Sequence, residues 1–223
     1  MINRREFLKS ASLAAGAVSI PAVVSSTVLG QSGRAAPSNR IVMGCIGVGW
    51  QGGGNMNSFL NEKDVQVVAV CDVDKNHLNQ ARERVNKRYG NQDCKGYGNF
   101  REVVSRKDID AVSLGLPDHW HSIPAIAAAT NGKDIFGEKP LSHKFAEGRA
   151  MCEAVKRYGR IWQTGSWQRS KSNFRFACEL VLNGRIGKIV KAEVGLPAGH
   201  TDFGKTKGQE TPGPAPGHLD WNF

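Results

Sequence analysis

Leu116-Pro117-Asp118-His119-Trp120-His121 follows one apolar run of the sequence, and Glu138-Lys139-Pro140 follows another. Histidine, carboxylate and lysine are the side chains that move protons in reactions, and their charged forms are costly to bury without partners. Their position where apolar segments stop suits a rim of strand ends facing a ligand. Lys139 and His121 are the candidate catalytic groups, with Pro117, Asp118 and Glu138 beside them. His119 and His121 are also potential metal ligands. They fall in an irregular turn with no third ligand at useful spacing, so no metal site is expected.

The elements that must hold these residues are readable upstream. Ile41 to Val48 is a short apolar run rich in β-branched residues, the mark of a buried strand. It leads straight into Gly47-x-Gly49-x-x-Gly52, after which Met56, Phe59 and Leu60 fall on one side of a helix. A second buried strand, VQVVAVC, then ends at Asp72. A lone glycine triplet would be weak, but this one follows a strand, opens a helix and precedes an acid at about twenty residues, as in dinucleotide sites. Gly47 permits the tight turn, Gly49 lets backbone approach a pyrophosphate, and Gly52 lets helix and strand pack closely. Trp50 and Gln51 sit at the helix N-terminus, where unpaired N–H groups and the helix dipole favour phosphate. Asp72 can accept hydrogen bonds from the adenosine ribose hydroxyls. With Asp74 it would repel a 2′-phosphate, which favours NAD over NADP. The plain alternative is a glycine-rich turn with no ligand.

The alternation continues. Helical patterns run from Lys75 to Tyr89, Asn99 to Ser105, Ile123 to Thr130 and Phe145 to Tyr158, with strands from Ala111 to Leu116, Asp134 to Phe136 and Ile161 to Thr164. Strict alternation predicts an α/β protein with a doubly wound parallel sheet, in which ligands bind beyond the carboxyl ends of the strands. Asp118 and His121, after the Ala111–Leu116 strand, and Glu138 to Pro140, after the Asp134–Phe136 strand, then share one rim. Two structural alternatives stand beside this: Asp118 as a helix N-cap and Lys139 as an ordinary surface lysine.

The 223 residues carry a formal net charge of +10. Lys and Arg are spread among Asp and Glu without a basic run, which reads as a solvated surface and not as a nucleic-acid footprint. The five cysteines form no C-x-x-C pair and are expected to be small buried hydrophobes, without disulfides. At the N-terminus Arg4-Arg5 precedes Phe7-Leu8-Lys9 and a mildly apolar stretch from Ala11 to Leu29, broken by Pro21. The layout is that of an export signal, and the paired arginines resemble a twin-arginine leader. Periplasmic or exported localisation is expected, with membrane contact only through that signal; an uncleaved anchor is the alternative.

Gly47-Val48-Gly49-Trp50-Gln51-Gly52, Asp72, the Leu116–His121 stretch and Glu138-Lys139-Pro140 together resemble the glucose–fructose oxidoreductase / inositol dehydrogenase / MocA family, from about Arg40 to about Val194. Leu116 and Asp118 depart from the family's commoner Thr and Asn. The resemblance implies a Rossmann-like NAD(P)-binding domain. It places Lys139 beside the nicotinamide and the substrate carbinol, with Glu138 steadying it and Pro140 often following a cis bond. It also implies that His121 faces the cofactor from the first helical turn. Gln168-Arg169 matches a pair carried near the cleft, so Arg169 joins the cofactor-binding candidates. The implied domains are a signal and linker at 1–36, the nucleotide domain at 37–165, and at 166–223 the truncated start of an α+β open-sheet substrate domain. That start comprises a helix from Ser170 to Asn183 and a strand from Ile186 to Pro197. The implied activity is hydride transfer between NAD and a sugar or polyol hydroxyl, in a full-length protein that is a homo-oligomer and of which this chain is an N-terminal fragment with little turnover of its own. An NAD-dependent redox-assisted glycosidase and a non-catalytic nucleotide-binding protein are the competing readings.

Overall fold

The computed structural model describes residues 35–195 and 213–220; the expected export signal lies outside the described residues. The chain divides into two units, Met1–Arg40 and Ile41–Phe223. In the first, Pro37–Asn39 forms a 3-10 turn, and the Arg40 guanidinium donates to the Ala35 carbonyl at 2.7 Å.

In the second unit, strands β1 (Ile41–Ile46), β2 (Val65–Cys71), β3 (Lys95–Tyr97), β4 (Ala111–Leu114), β5 (Asp134–Glu138) and β6 (Trp162–Gly165) form a single sheet in the order β3-β2-β1-β4-β5-β6. Every pairing is parallel. The connecting helices are α1 (Trp50–Asn61), α2 (Lys75–Tyr89), α3 (Phe100–Ser105), α4 (Ser122–Thr130) and α5 (Phe145–Arg157), with α6 (Ser172–Leu182) beyond β6. The fold is the expected doubly wound Rossmann-like sheet. Its strand order turns back between β1 and β4, which is where such sheets open a crevice for ligands.

The apolar runs become central strands because both faces are covered. Met43 and Cys45 of β1 pack with Met56 and Leu60 of α1 and Val85 of α2. Ile46 faces the other layer, with Phe100, Val103, Ala125 and Met151. Each large aliphatic buried this way contributes roughly 1.5–3 kcal/mol. At the head of α2 the Asp74 carboxylate accepts from the Asn76 and His77 amides, and Gly90 closes the helix in the left-handed region.

Several boundaries differ from the sequence reading. β1 ends at Ile46, not Val48, because Gly47 turns the chain at φ 74°. β4 ends at Leu114, two residues early, and β5 runs on to Glu138. β3 has no apolar run and exists through its pairing with β2. The strand expected from Ile186 to Pro197 is not present in its described part, up to Gly195. No neighbouring strand pairs with it there, and Val190 and Val194 are exposed. No residue of α6 is buried. Burial pushes the thiols of Cys45 and Cys71 up to about 12 and that of Cys94 to about 11, but Cys152 and Cys178 are exposed, against expectation.

Candidate functional site

The turn after β1 is built by contacts that admit no side chain. A Cβ on Gly52 would overlap the Gly47 carbonyl, and one on Gly47 would stand 2.5 Å from the Gly115 carbonyl oxygen. Gly115 closes the set, since its own Cβ would lie 2.5 Å from the Gly52 Cα. Three backbones thus meet without side chains, and α1 starts directly over the end of β1. The amides at its N-terminus have no acceptor within the helix, which makes this end receptive to an anion.

Two hollows adjoin this turn and share Gly49 and His77 among their walls. One, about 990 Å³, is lined by Trp50, Gln51, Asp118, Glu138, Lys139 and Trp167. The other, about 460 Å³, has an apolar flank of Val73, Phe100, Pro117 and Trp120, with Asp72 at its edge. An apolar slot beside a carboxylate fits an adenosine. The glycine turn leaves room for a pyrophosphate, so the residues present fit a dinucleotide.

Asp72, at the carboxyl end of β2, has structural work as well. Its Oδ2 accepts from the Val48 amide at 2.9 Å and its Oδ1 from the Asp74 amide at 2.9 Å. The acid therefore ties the glycine turn to the β2 end, and each oxygen keeps a lone pair for a ribose hydroxyl.

At the other rim, Glu138 is buried while Lys139 is exposed. Glu138 Oε1 accepts from Asn55 Nδ2 at 2.9 Å and Gln51 Nε2 at 3.4 Å, and Oε2 accepts from the Lys139 amide at 3.1 Å. The carboxylate thus pins the end of β5 to the first turns of α1, and the lysine rises from a fixed base. The Lys139–Pro140 peptide is cis.

His121 corrects an expectation. It stands at the N-cap of α4 with its ring 2% exposed, and it lines neither hollow. Nε2 lies 2.8 Å from the Leu116 carbonyl oxygen, and Nδ1 faces the Pro140 carbonyl oxygen. The ring braces the two loops that carry Asp118 and Lys139 instead of facing the crevice. The N-cap alternative for Asp118 is also not seen: Pro117 caps the 3-10 turn Asp118–Trp120, and the Asp118 side chain stands exposed on the wall of the larger hollow. Arg169 is exposed and lines neither hollow. Its neighbour Trp167 does, held at φ 42°, a left-handed backbone that a bulky residue adopts only when its surroundings impose it, with the Lys171 ammonium 5.1 Å from the ring centre.

Asn55, Gly115, Trp167 and His77 escaped the sequence reading. Asn55 carried a signal, four residues after Gln51 and so on the same helix face. Trp167 carried another, an aromatic just past a strand end in TGSWQRS.

Residues 41–166 match the sequence model of an oxidoreductase family with an NAD-binding Rossmann fold, GFO_IDH_MocA. A curated relative, an alpha-N-acetylgalactosaminidase of Shewanella oneidensis, is 33% identical over 175 residues, covering 70% of this chain and 37% of its own length. Among solved structures, the myo-inositol 2-dehydrogenase of Lactobacillus plantarum superposes with a TM-score of 0.61 at 30% identity, over 68% of this chain and 43% of its own. A probable dehydrogenase from Thermotoga maritima gives 0.60 at 32% identity, over 66% and 42%. The chain spans well under half the length of these relatives.

Proposed function

The chain belongs to the Gfo/Idh/MocA oxidoreductase family, and on that premise we propose that it serves an NAD-dependent enzyme acting on a hydroxyl-bearing carbon of a sugar or polyol. The observation that carries the reading is Lys139, presented at the end of β5 on the same hollow as the glycine turn. When bound, NAD supplies the hydride acceptor. The chain's own residues do the rest. The Gly47–Gly52 turn and the α1 N-terminus hold the pyrophosphate, and Asp72 holds the ribose and disfavours a 2′-phosphate. The Lys139 ammonium can donate to a substrate oxygen, and the amine can take the hydroxyl proton. Glu138, Gln51 and Asn55 fix the backbone from which that side chain rises, and His121 braces the loop opposite. A myo-inositol 2-dehydrogenase among the relatives supports a polyol substrate. The leader sequence supports export through a twin-arginine route.

One finding favours a second reading, a glycosidase that borrows a hydride and returns it: the alpha-N-acetylgalactosaminidase relative. The two separate in one assay. The protein is offered NAD with a polyol panel, then aryl glycosides. Reduced nicotinamide accumulating with a polyol, and lost in Lys139→Ala, supports the oxidoreductase. Aryl release without net reduced nicotinamide supports the glycosidase. Neither signal, in a protein that binds NAD and spans the full length of the relatives, argues for a non-catalytic nucleotide-binding role.

A further inference from the structure

We propose that the segment Gly213–Asp220 is the outer wall of the adenosine end of the cofactor site and acts as a clamp that slows release of NAD; this rests on the cofactor reading above. The segment lies far from Asp72 in sequence, yet it is bonded to the turn that follows Asp72. The Asp220 amide donates to the Val73 carbonyl at 3.1 Å, and the Lys75 amide donates to the His218 carbonyl at 2.9 Å. Between them Asp74 and Leu219 form an antiparallel bridge. A local turn, Leu219 amide to Pro216 carbonyl at 3.0 Å, shapes the segment for this contact.

A side-chain latch accompanies the backbone bonds. His218 Nε2 lies 3.7 Å from Asp74 Oδ2, which also lies 3.7 Å from His77 Nδ1, while His77 Nδ1 is 4.0 Å from Asp72 Oδ2. The segment therefore connects through Asp74 and His77 to the acid expected to hold the ribose. Asp220 itself lines the 460 Å³ hollow together with Asp72, Val73, Phe100 and Trp120. Without the segment that hollow would lose a wall and the Val73–Lys75 turn its outer bonds. With it, an adenosine is held from the β2 side and from outside. Asp220 also adds a carboxylate to the pair at Asp72 and Asp74, which strengthens exclusion of a 2′-phosphate.

The test is stopped-flow release of NADH and equilibrium binding of ADP-ribose to the full 223-residue chain. Asp220→Pro removes the amide that donates to Val73, Asp220→Ala removes the carboxylate alone, and His218→Ala removes the latch. Asp220→Pro is expected to speed NADH release roughly tenfold, the scale of one or two backbone hydrogen bonds. ADP-ribose should weaken by the same factor, because it carries the whole adenosine half. His218→Ala is expected to give a smaller change in the same direction, and it also keeps the test decisive if the proline variant does not fold. Asp220→Ala should narrow the preference for NADH over NADPH. Parental NADH release and ADP-ribose affinity in both Asp220→Pro and His218→Ala would overturn the clamp alone. A parent chain that binds neither NADH nor ADP-ribose would overturn the cofactor reading instead.

Discussion

The two ends of the crevice, proposed above to take the adenosine and the nicotinamide, are built in opposite ways. At the adenosine end the functional acid is bound into the backbone: Asp72 accepts from the amides of Val48 and Asp74, and the slot beside it has apolar walls. At the other end the buried acid, Glu138, serves as a fixed base, and the groups on view stand out from it. Lys139 is exposed, as are Trp50 at 91% and Trp167 at 59%. One end is shaped to grip. The other presents a cation and two aromatic faces at the surface. Binding and chemistry should therefore be separable by mutation.

The largest way to break the contrast is at the point where both ends meet. Gly52→Ala would drive a methyl into the Gly47 carbonyl and should lower unfolding stability by about 3 kcal/mol, with nucleotide binding falling alongside. Chemical denaturation followed by circular dichroism reads it. Glu138→Ala comes next: it removes the acceptor of the Asn55 side-chain amide and of the Lys139 backbone amide and should cost about 1–3 kcal/mol, while ADP-ribose still binds. Asp74→Ala removes the α2 cap at about 1 kcal/mol.

Asp74 also sets a pH dependence. Burial pushes its carboxyl up, but the amides of Asn76 and His77, with the nearby histidines, outweigh this and hold it below its ordinary 3.8. A lowered folded-state value means that the carboxylate stabilises the fold above that ordinary value and loses this contribution as pH falls through the folded one. The deficit of Asp74→Ala should therefore be full near neutrality and shrink in acid below 3.8, as read by melting temperature against pH. The smallest stability effect sharpens the contrast most. Lys139→Ala, at an exposed position, should change stability by less than about 0.5 kcal/mol and leave ADP-ribose affinity intact, yet cut turnover by roughly 10²–10⁴-fold in a protein spanning the relatives' full length.

The same contrast governs what could be read without a structure. The central strands were legible because a strand buried on both faces must be apolar along its length, as in VQVVAVC. Gly47, Gly49 and Gly52 were legible because their spacing is local. Gly115 was not, since its need for a bare Cα arises from Gly52 and Gly47 across the sheet. β3 was hidden for a similar reason: Lys95-Gly96-Tyr97 becomes a strand only by pairing with β2. The position of His121 was readable but its direction was not, because Leu116 and Pro140 reach the ring from two separate loops. Asn55 lay on the right helix face, but its acceptor is Glu138, 83 residues away.

The central claim, that this chain grips NAD through the glycine turn and Asp72, is tested most directly by titrating the 223-residue chain with NADH and following nicotinamide fluorescence, with NADPH and Asp72→Ala run in parallel. Saturable NADH binding, weaker for NADPH and weaker still in Asp72→Ala, is the predicted result. A folded chain that binds neither nucleotide, or binds both equally and without regard to Asp72, would contradict it.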